Sequence, residues 1–165
     1  MKNNRKIGLI LPPDKEYREL EKKLTDSLRE KGCEVLISTI GAGEKNAALI
    51  INECRECDLL IVLDMAGFEA ETLTGGRYYN LMNCKQVHFL LSGWREKERY
   101  MNRPLSIAMF FYVAGQENFD RLKTEYEQLP YLKLLEGWNP SQTAGSDNVS
   151  AIMAAVEEVC VVCGL

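Results

Sequence analysis

KIGLILPPDKEYRELEKKLTDSLREKGCEVLIST, residues 6 to 39, changes its hydrophobic period once and then changes back. The apolar run 6 to 11 has the character of a buried strand. Across DKEYRELEKKLTDSLREKG, Tyr17, Leu20, Leu24 and Leu28 recur at helical spacing and Gly32 stands just past the end. Residues 34 to 39 return to strand character. A strand, a helix and a strand in that order form a βαβ unit, whose two strands run parallel.

The same alternation continues along the chain. Further strands are predicted at 58 to 63, 86 to 91 and 107 to 113, each a run of Ile, Val, Leu and Phe such as a sheet buried on both faces requires. A second helix is expected over 44 to 56, with Ala47, Ile50, Ile51 and Cys54 on one face. The connection 75 to 84 is short, two or three turns of helix. QENFDRLKTEYEQL turns Phe119, Leu122, Tyr126 and Leu129 inward until Pro130 ends it. A polar loop, NPSQTAGSDN, leads to a last helix striped by Val149, Ile152, Val156, Val159 and Cys163. The 26 residues beyond Asn139 are too few for a second core, so residues 1 to 165 read as one domain.

Right-handed crossovers place helices on both faces of such a sheet. The expected fold is α/β: a three-layer doubly wound sandwich on a five-stranded parallel sheet, flavodoxin-like or Rossmann-like, in the order 2-1-3-4-5. Sheets of this kind hold ligands at the carboxyl ends of their strands, where strand order reverses. Here that crevice falls between strands 1 and 3, flanked by LPPDKEY and DMAGFEAETLTGG.

Composition narrows the function. With 46% hydrophobic residues, 20 Lys and Arg against 24 Asp and Glu, and a net charge of −4, the chain has the make-up of a soluble globular protein and no basic footprint for nucleic acid. The apolar run before Pro12 and Pro13 is too short for a signal segment, and no stretch approaches the roughly 18 apolar residues of a membrane span. Six cysteines without a secretion signal fit a reducing cytoplasm.

Several motifs are missing where chemistry would need them. Pro12 and Pro13 offer no N–H to a phosphate at the first turn, and neither GxGxxG nor GxxxxGK[ST] occurs. GAGEKN at 41 to 46 reads as an ordinary left-handed turn before a helix. GxSxG is absent, which excludes a nucleophile elbow. The single histidine, His88, lies on a predicted central strand, where a core role is expected.

The stretch LDMAGFEAETLTGGRYYN, 63 to 80, occupies the favoured crevice. Asp64 and Glu69 can act there as an acid–base or nucleophile pair on a glycosidic bond, or grip sugar hydroxyls. The competing reading makes Asp64 a cap and Glu69, with Glu71, a solvated face. Gly67, Gly75 and Gly76 give this loop freedom, Arg77 can meet an anion and Tyr78 can stack. Asp14, on the loop after strand 1, faces the same crevice. Ser92, Gly93, Trp94 and Arg95 end strand 4 at that edge, and Trp94 beside Arg95 suits stacking and anion contact.

The spacings Cys54-Arg-Glu-Cys57 and Cys160-Val-Val-Cys163 could supply four thiolates to zinc. Both pairs also fall at helix ends within apolar stripes, where cysteine acts as a small hydrophobe. A thioredoxin-like redox role would want the motif to open a helix. No other cofactor is predicted.

A strand ending in Asp, an acid-containing loop, a short helix and Lys85 before the next strand together resemble the nucleoside deoxyribosyltransferases. Counting back from Lys85, the position of that family's catalytic Glu falls on Gly76. Residues 58 to 138 are similar to the N-terminal lobe of glycosyltransferases built from two Rossmann-like lobes, although this chain lacks a second lobe. These resemblances imply a nucleotide- or sugar-derived ligand. The sequence thus supports three readings: a non-catalytic module that binds a small molecule or a protein partner at residues 64 to 80 and 92 to 95, an enzyme using Asp64 and Glu69, or an assembly subunit. Exposed apolar residues in LPYLKLLEGWNPSQ would serve the last as a homo-oligomer face.

Overall fold

The computed structural model describes residues 4–102, 105–127, 129 and 131–165. Its elements run β1 (Lys6–Leu11), α1 (Lys15–Glu30), β2 (Glu34–Thr39), α2 (Ala47–Glu53), β3 (Leu59–Leu63), β4 (Lys85–Leu90), β5 (Met109–Val113), α3 (Gln116–Glu125), β6 (Leu132–Leu134) and α4 (Ser146–Cys163). All strand pairings are parallel, in the order β2-β1-β3-β4-β5-β6. The doubly wound α/β sandwich is as the sequence predicts, and the strand order reverses between β1 and β3.

The sheet has six strands rather than five. The sixth, Leu132–Leu134, pairs with Phe111, Tyr112 and Val113. It lies in the segment expected to present an apolar partner face, and Leu135 just beyond it is buried in the core. Three residues are too few to show a strand period, so only pairing with β5 defines this strand. The proline expected to end the preceding helix, Pro130, lies outside the described residues, and α3 has already stopped at Glu125.

Side-chain alternation along the strands divides the interior in two. Ile7, Leu9, Leu11, Leu59, Ile61, Val87 and Phe89 face α1 and α4. On the other face Ile10, Leu60, Val62, Leu90 and Phe111 meet α2, α3 and the irregular segments. Leu20, Leu24 and Leu28 of α1 have no exposed surface, and burying each contributes about 1.5–3 kcal/mol. Among the described residues no helix is long and apolar enough to cross a membrane.

Two connections are less helical than their sequences suggest. The second helix is α2 followed by a 3-10 turn at Cys54–Glu56, and the 75 to 84 connection holds only the 3-10 turn Tyr78–Leu81. Before that turn, residues 71 to 77 form a small hairpin in which Glu71 and Arg77 bridge. Thr72 Oγ1 accepts the Gly76 N–H at 3.0 Å, an ST-type bond that closes the turn locally.

Candidate functional site

The chain leaves β3 through two consecutive non-glycine residues in the left-handed region, Asp64 (φ 47°) and Met65 (φ 55°). Each such residue costs about 1–3 kcal/mol unless its surroundings hold it there. The Asp64 carboxylate is what holds this turn. Oδ1 accepts the N–H of Leu91 at 2.6 Å and that of Ser92 at 3.1 Å, while Oδ2 accepts the Gly93 N–H at 3.0 Å and the Tyr17 hydroxyl. The carboxylate thereby ties the end of β3 to the end of β4 and to the first turn of α1.

Burial sets the electrostatics of this pair. Asp64 is 1% exposed, and desolvation raises its carboxyl above the usual range, against the opposing pull of the Tyr17 and backbone hydrogen bonds. Tyr17 is raised as well, first by burial and then by the Asp64 charge. In the bond between them the phenol donates and Asp64 Oδ2 accepts.

Beside this pair lies a cleft of about 480 Å³ at the carboxyl edge. One wall is Pro12, Pro13, Asp14 and Glu16, from the end of β1 and the start of α1, and the other is Ser92, Gly93, Arg95, Glu96 and Lys97. Gly93 keeps the floor open: a Cβ there would stand 3.2 Å from the Tyr17 hydroxyl and 3.6 Å from Asp64 Oδ2. Asp14 begins α1 without a side-chain cap bond, so its carboxylate is available to the cleft. The Arg95 guanidinium donates to Asn118 Oδ1 and lies 5.8 Å from the Trp94 ring.

The chain matches no known family model and no curated protein.

Of the residues expected to act together, the structure brings Asp14, Asp64 and Arg95 to the cleft. Glu69 lies off it, 3.3 Å from the Lys97 ammonium, which also donates to the Met65 carbonyl at 3.4 Å. The second carboxylate therefore braces the left-handed turn from behind. Trp94 is 1% exposed and packs in the core as a support for Arg95 and Arg121, so it offers no stacking face to the cleft. Arg77 is buried against Glu71 at 2.6 Å and the Tyr100 ring at 4.5 Å. Gly75 and Gly76 belong to the hairpin turn, and Tyr78 lines a different depression with Asn52 and Arg55 at the amino edge of the sheet.

Gly67 serves packing. Its φ is +77°, and a Cβ would stand 2.8 Å from Ile40 Cδ1 and 3.1 Å from Ile51 Cδ1. Gly67→Ala is expected to destabilise by about 2–3 kcal/mol, from left-handed strain plus overpacking, as a lower midpoint in urea unfolding. A midpoint equal to wild type would show that the loop shifts freely.

Sequence reasoning missed Tyr17 and Lys97 as site residues. Tyr17 reads as one more member of the α1 apolar stripe, and its hydroxyl at the amino end of that stripe, next to the carboxyl edge of the sheet, is the signal that could have marked it. Lys97 sits in REKERYMN, a charged 3-10 segment with no distinguishing spacing. Arg121 fixes that segment to α3 through Glu98, at 2.6 and 3.0 Å, and holds the Glu98 carboxyl below the usual range.

His88 is a core residue. Its ring lies among Phe68, Tyr79 and Phe111 at centroid distances of 5.2, 5.4 and 5.0 Å. Gln86 Nε2 donates to the Tyr79 carbonyl, which leaves Gln86 Oε1 to accept from His88 Nε2 at 3.0 Å. Burial lowers the imidazole pKa to about 3. The two cysteine pairs lie on opposite faces of the sheet, Cys54 and Cys57 with α2, Cys160 and Cys163 with α4. The sheet between them keeps the four sulfurs from a common centre, and among the described residues no three metal-ligating side chains converge.

Proposed function

We propose that this protein is a non-catalytic module that binds a small, hydroxyl-bearing molecule of sugar or nucleoside type in the cleft between the ends of β1, β3 and β4. One observation carries the reading: the single buried acid of the cleft, Asp64, is saturated by internal hydrogen bonds, and its expected partner Glu69 does not line the cleft but lies behind it, ion-paired at 3.3 Å to Lys97 of the wall. A general acid or nucleophile needs a carboxyl held at the reacting atom, whereas the buried carboxylate here is committed to internal bonds and the others of the cleft, Asp14, Glu16 and Glu96, are exposed on its walls.

The ligand class follows from what the cleft has left to offer. Pro12 and Pro13 have no N–H, the N–H groups of Leu91, Ser92 and Gly93 are taken by Asp64, Lys97 is paired with Glu69, and Arg95 gives one N–H to Asn118 in a cleft that also holds Asp14, Glu16 and Glu96. Phosphate would find few donors there. Asp14, Glu16 and Glu96 remain as acceptors for ligand hydroxyls. Sugar- or nucleoside-derived ligands agree with the family resemblances, as does the loss of the catalytic Glu at Gly76. A cytoplasmic setting suits six cysteines with no disulfide among them.

A thermal-shift screen against sugars, nucleosides, nucleotides, sugar nucleotides and flavins tests the reading. A sugar or nucleoside at 100 times its Kd should stabilise by about 2.7 kcal/mol. Glu96→Ala and Asp14→Ala should abolish that gain while leaving the unliganded midpoint within a degree or two. No response to any class, or a response that both variants keep, would overturn it.

A further inference from the structure

The CxxC at residues 54 to 57 lies on a 3-10 turn, outside the site described above. The Cys57 N–H donates to the Cys54 carbonyl at 3.0 Å, closing an i to i+3 turn. Such a turn holds its end Cα atoms within about 7 Å, which overlaps the roughly 4.4–6.8 Å that a disulfide spans. Both side chains turn toward Gly8 of β1. A Cβ at Gly8 would stand 2.7 Å from Leu60 Cδ1, 3.3 Å from Cys57 Sγ and 3.4 Å from Cys54 Cβ, so the bare Gly8 lets both cysteines pack side by side against β1.

We propose that Cys54 and Cys57 are a reversible dithiol–disulfide couple, with Cys57 as the attacking sulfur and hydrogen peroxide as the oxidant. Cys57 attacks the peroxide, the O–O bond breaks, and a sulfenic acid and one water form. Cys54 then gives up its thiol proton and attacks the Cys57 sulfur. The S–O bond breaks, the S–S bond forms and a second water leaves. The two sulfurs together lose two electrons and the peroxide gains two.

The order of attack follows from the surroundings. Cys54 has no exposed surface, whereas Cys57 is 5% exposed at the amino edge of the sheet. The neighbouring Cys54 thiol, and after it the Lys6 ammonium, draw the Cys57 thiol below the usual range. Burial pushes the other cysteines the opposite way: Cys84 to about 11, and Cys33, Cys160 and Cys163 also upward. A sulfur with more thiolate and some access reacts first.

The test is peroxide treatment of the native protein, alkylation of the remaining thiols and peptide mapping. The expected result is loss of two of the six thiols, a bridge mapped to Cys54 and Cys57, and full recovery with dithiothreitol. In Cys54→Ser, the reaction should stop at the sulfenic acid, trapped by dimedone on Cys57. In Cys57→Ser, Cys54 should stay fully alkylatable. Recovery of all six thiols from treated native protein, or a bridge to any other cysteine, would overturn the proposal, as would dimedone labelling of Cys84 ahead of Cys57. The wild-type map decides the matter even if a variant fails to fold.

Discussion

Asp64→Ala is expected to lower the unfolding free energy by about 3–5 kcal/mol, the largest effect of any single substitution at the candidate site. The change strips an acceptor from the Leu91, Ser92 and Gly93 N–H groups and from the Tyr17 hydroxyl. A buried donor left without a partner costs about 1–3 kcal/mol. Leu91 and Tyr17 are buried and would bear that cost, while Ser92 and Gly93 lie at the surface and can turn to water. Alanine also tolerates the left-handed backbone less well than aspartate. Asp64→Asn keeps that tolerance and one acceptor oxygen, so it should cost about 1–2 kcal/mol. Urea unfolding of the two variants distinguishes a structural carboxylate from a chemical one. An Asp64→Ala protein within 1 kcal/mol of wild type would mean that the carboxylate is not needed for the fold.

Acidification from pH 7 to pH 5 should remove about 2 kcal/mol of stability through His88 alone. The folded imidazole, with a pKa of about 3, stays neutral across this range, whereas the unfolded one takes up a proton near its ordinary value of about 6.5. The unfolded chain then binds more protons than the folded one. The contribution is therefore complete above about pH 6.5 and falls by about 1.4 kcal/mol per unit as pH drops toward 3. Asp64 acts with the opposite sign, because its raised carboxyl takes up a proton in the folded state before the unfolded state does. Comparing wild type with His88→Leu cancels that term, since both carry Asp64. The variant should lose stability less steeply by that amount, and parallel curves between pH 7 and pH 5 would show that the folded imidazole is protonated in place.

These two residues also show how far the sequence reaches. His88 was legible as a core residue because a lone histidine within an apolar strand has no partner for catalysis. Its depth among three aromatic rings was not, since Phe68 and Tyr79 arrive from a loop with no period. Asp64 was legible as a crevice residue because the strand order puts it between β1 and β3. What its oxygens do there depends on backbone groups of residues 91 to 93, nearly thirty positions away, and on Tyr17 from another helix.

Hydrophobic period by itself determined the α/β class, the parallel sheet, the order of its first five strands and the edge at which the crevice between β1 and β3 opens. Each of these follows from spacing within a segment and from the handedness of crossovers, both of which are local. Tertiary structure alone decided the sixth strand, which exists only as a pairing with β5, the burial of Trp94 and Arg77, and the parting of Glu69 from Asp64. Those outcomes turn on which polar atoms find partners across the sheet, and a buried charge is committed by the partners that surround it.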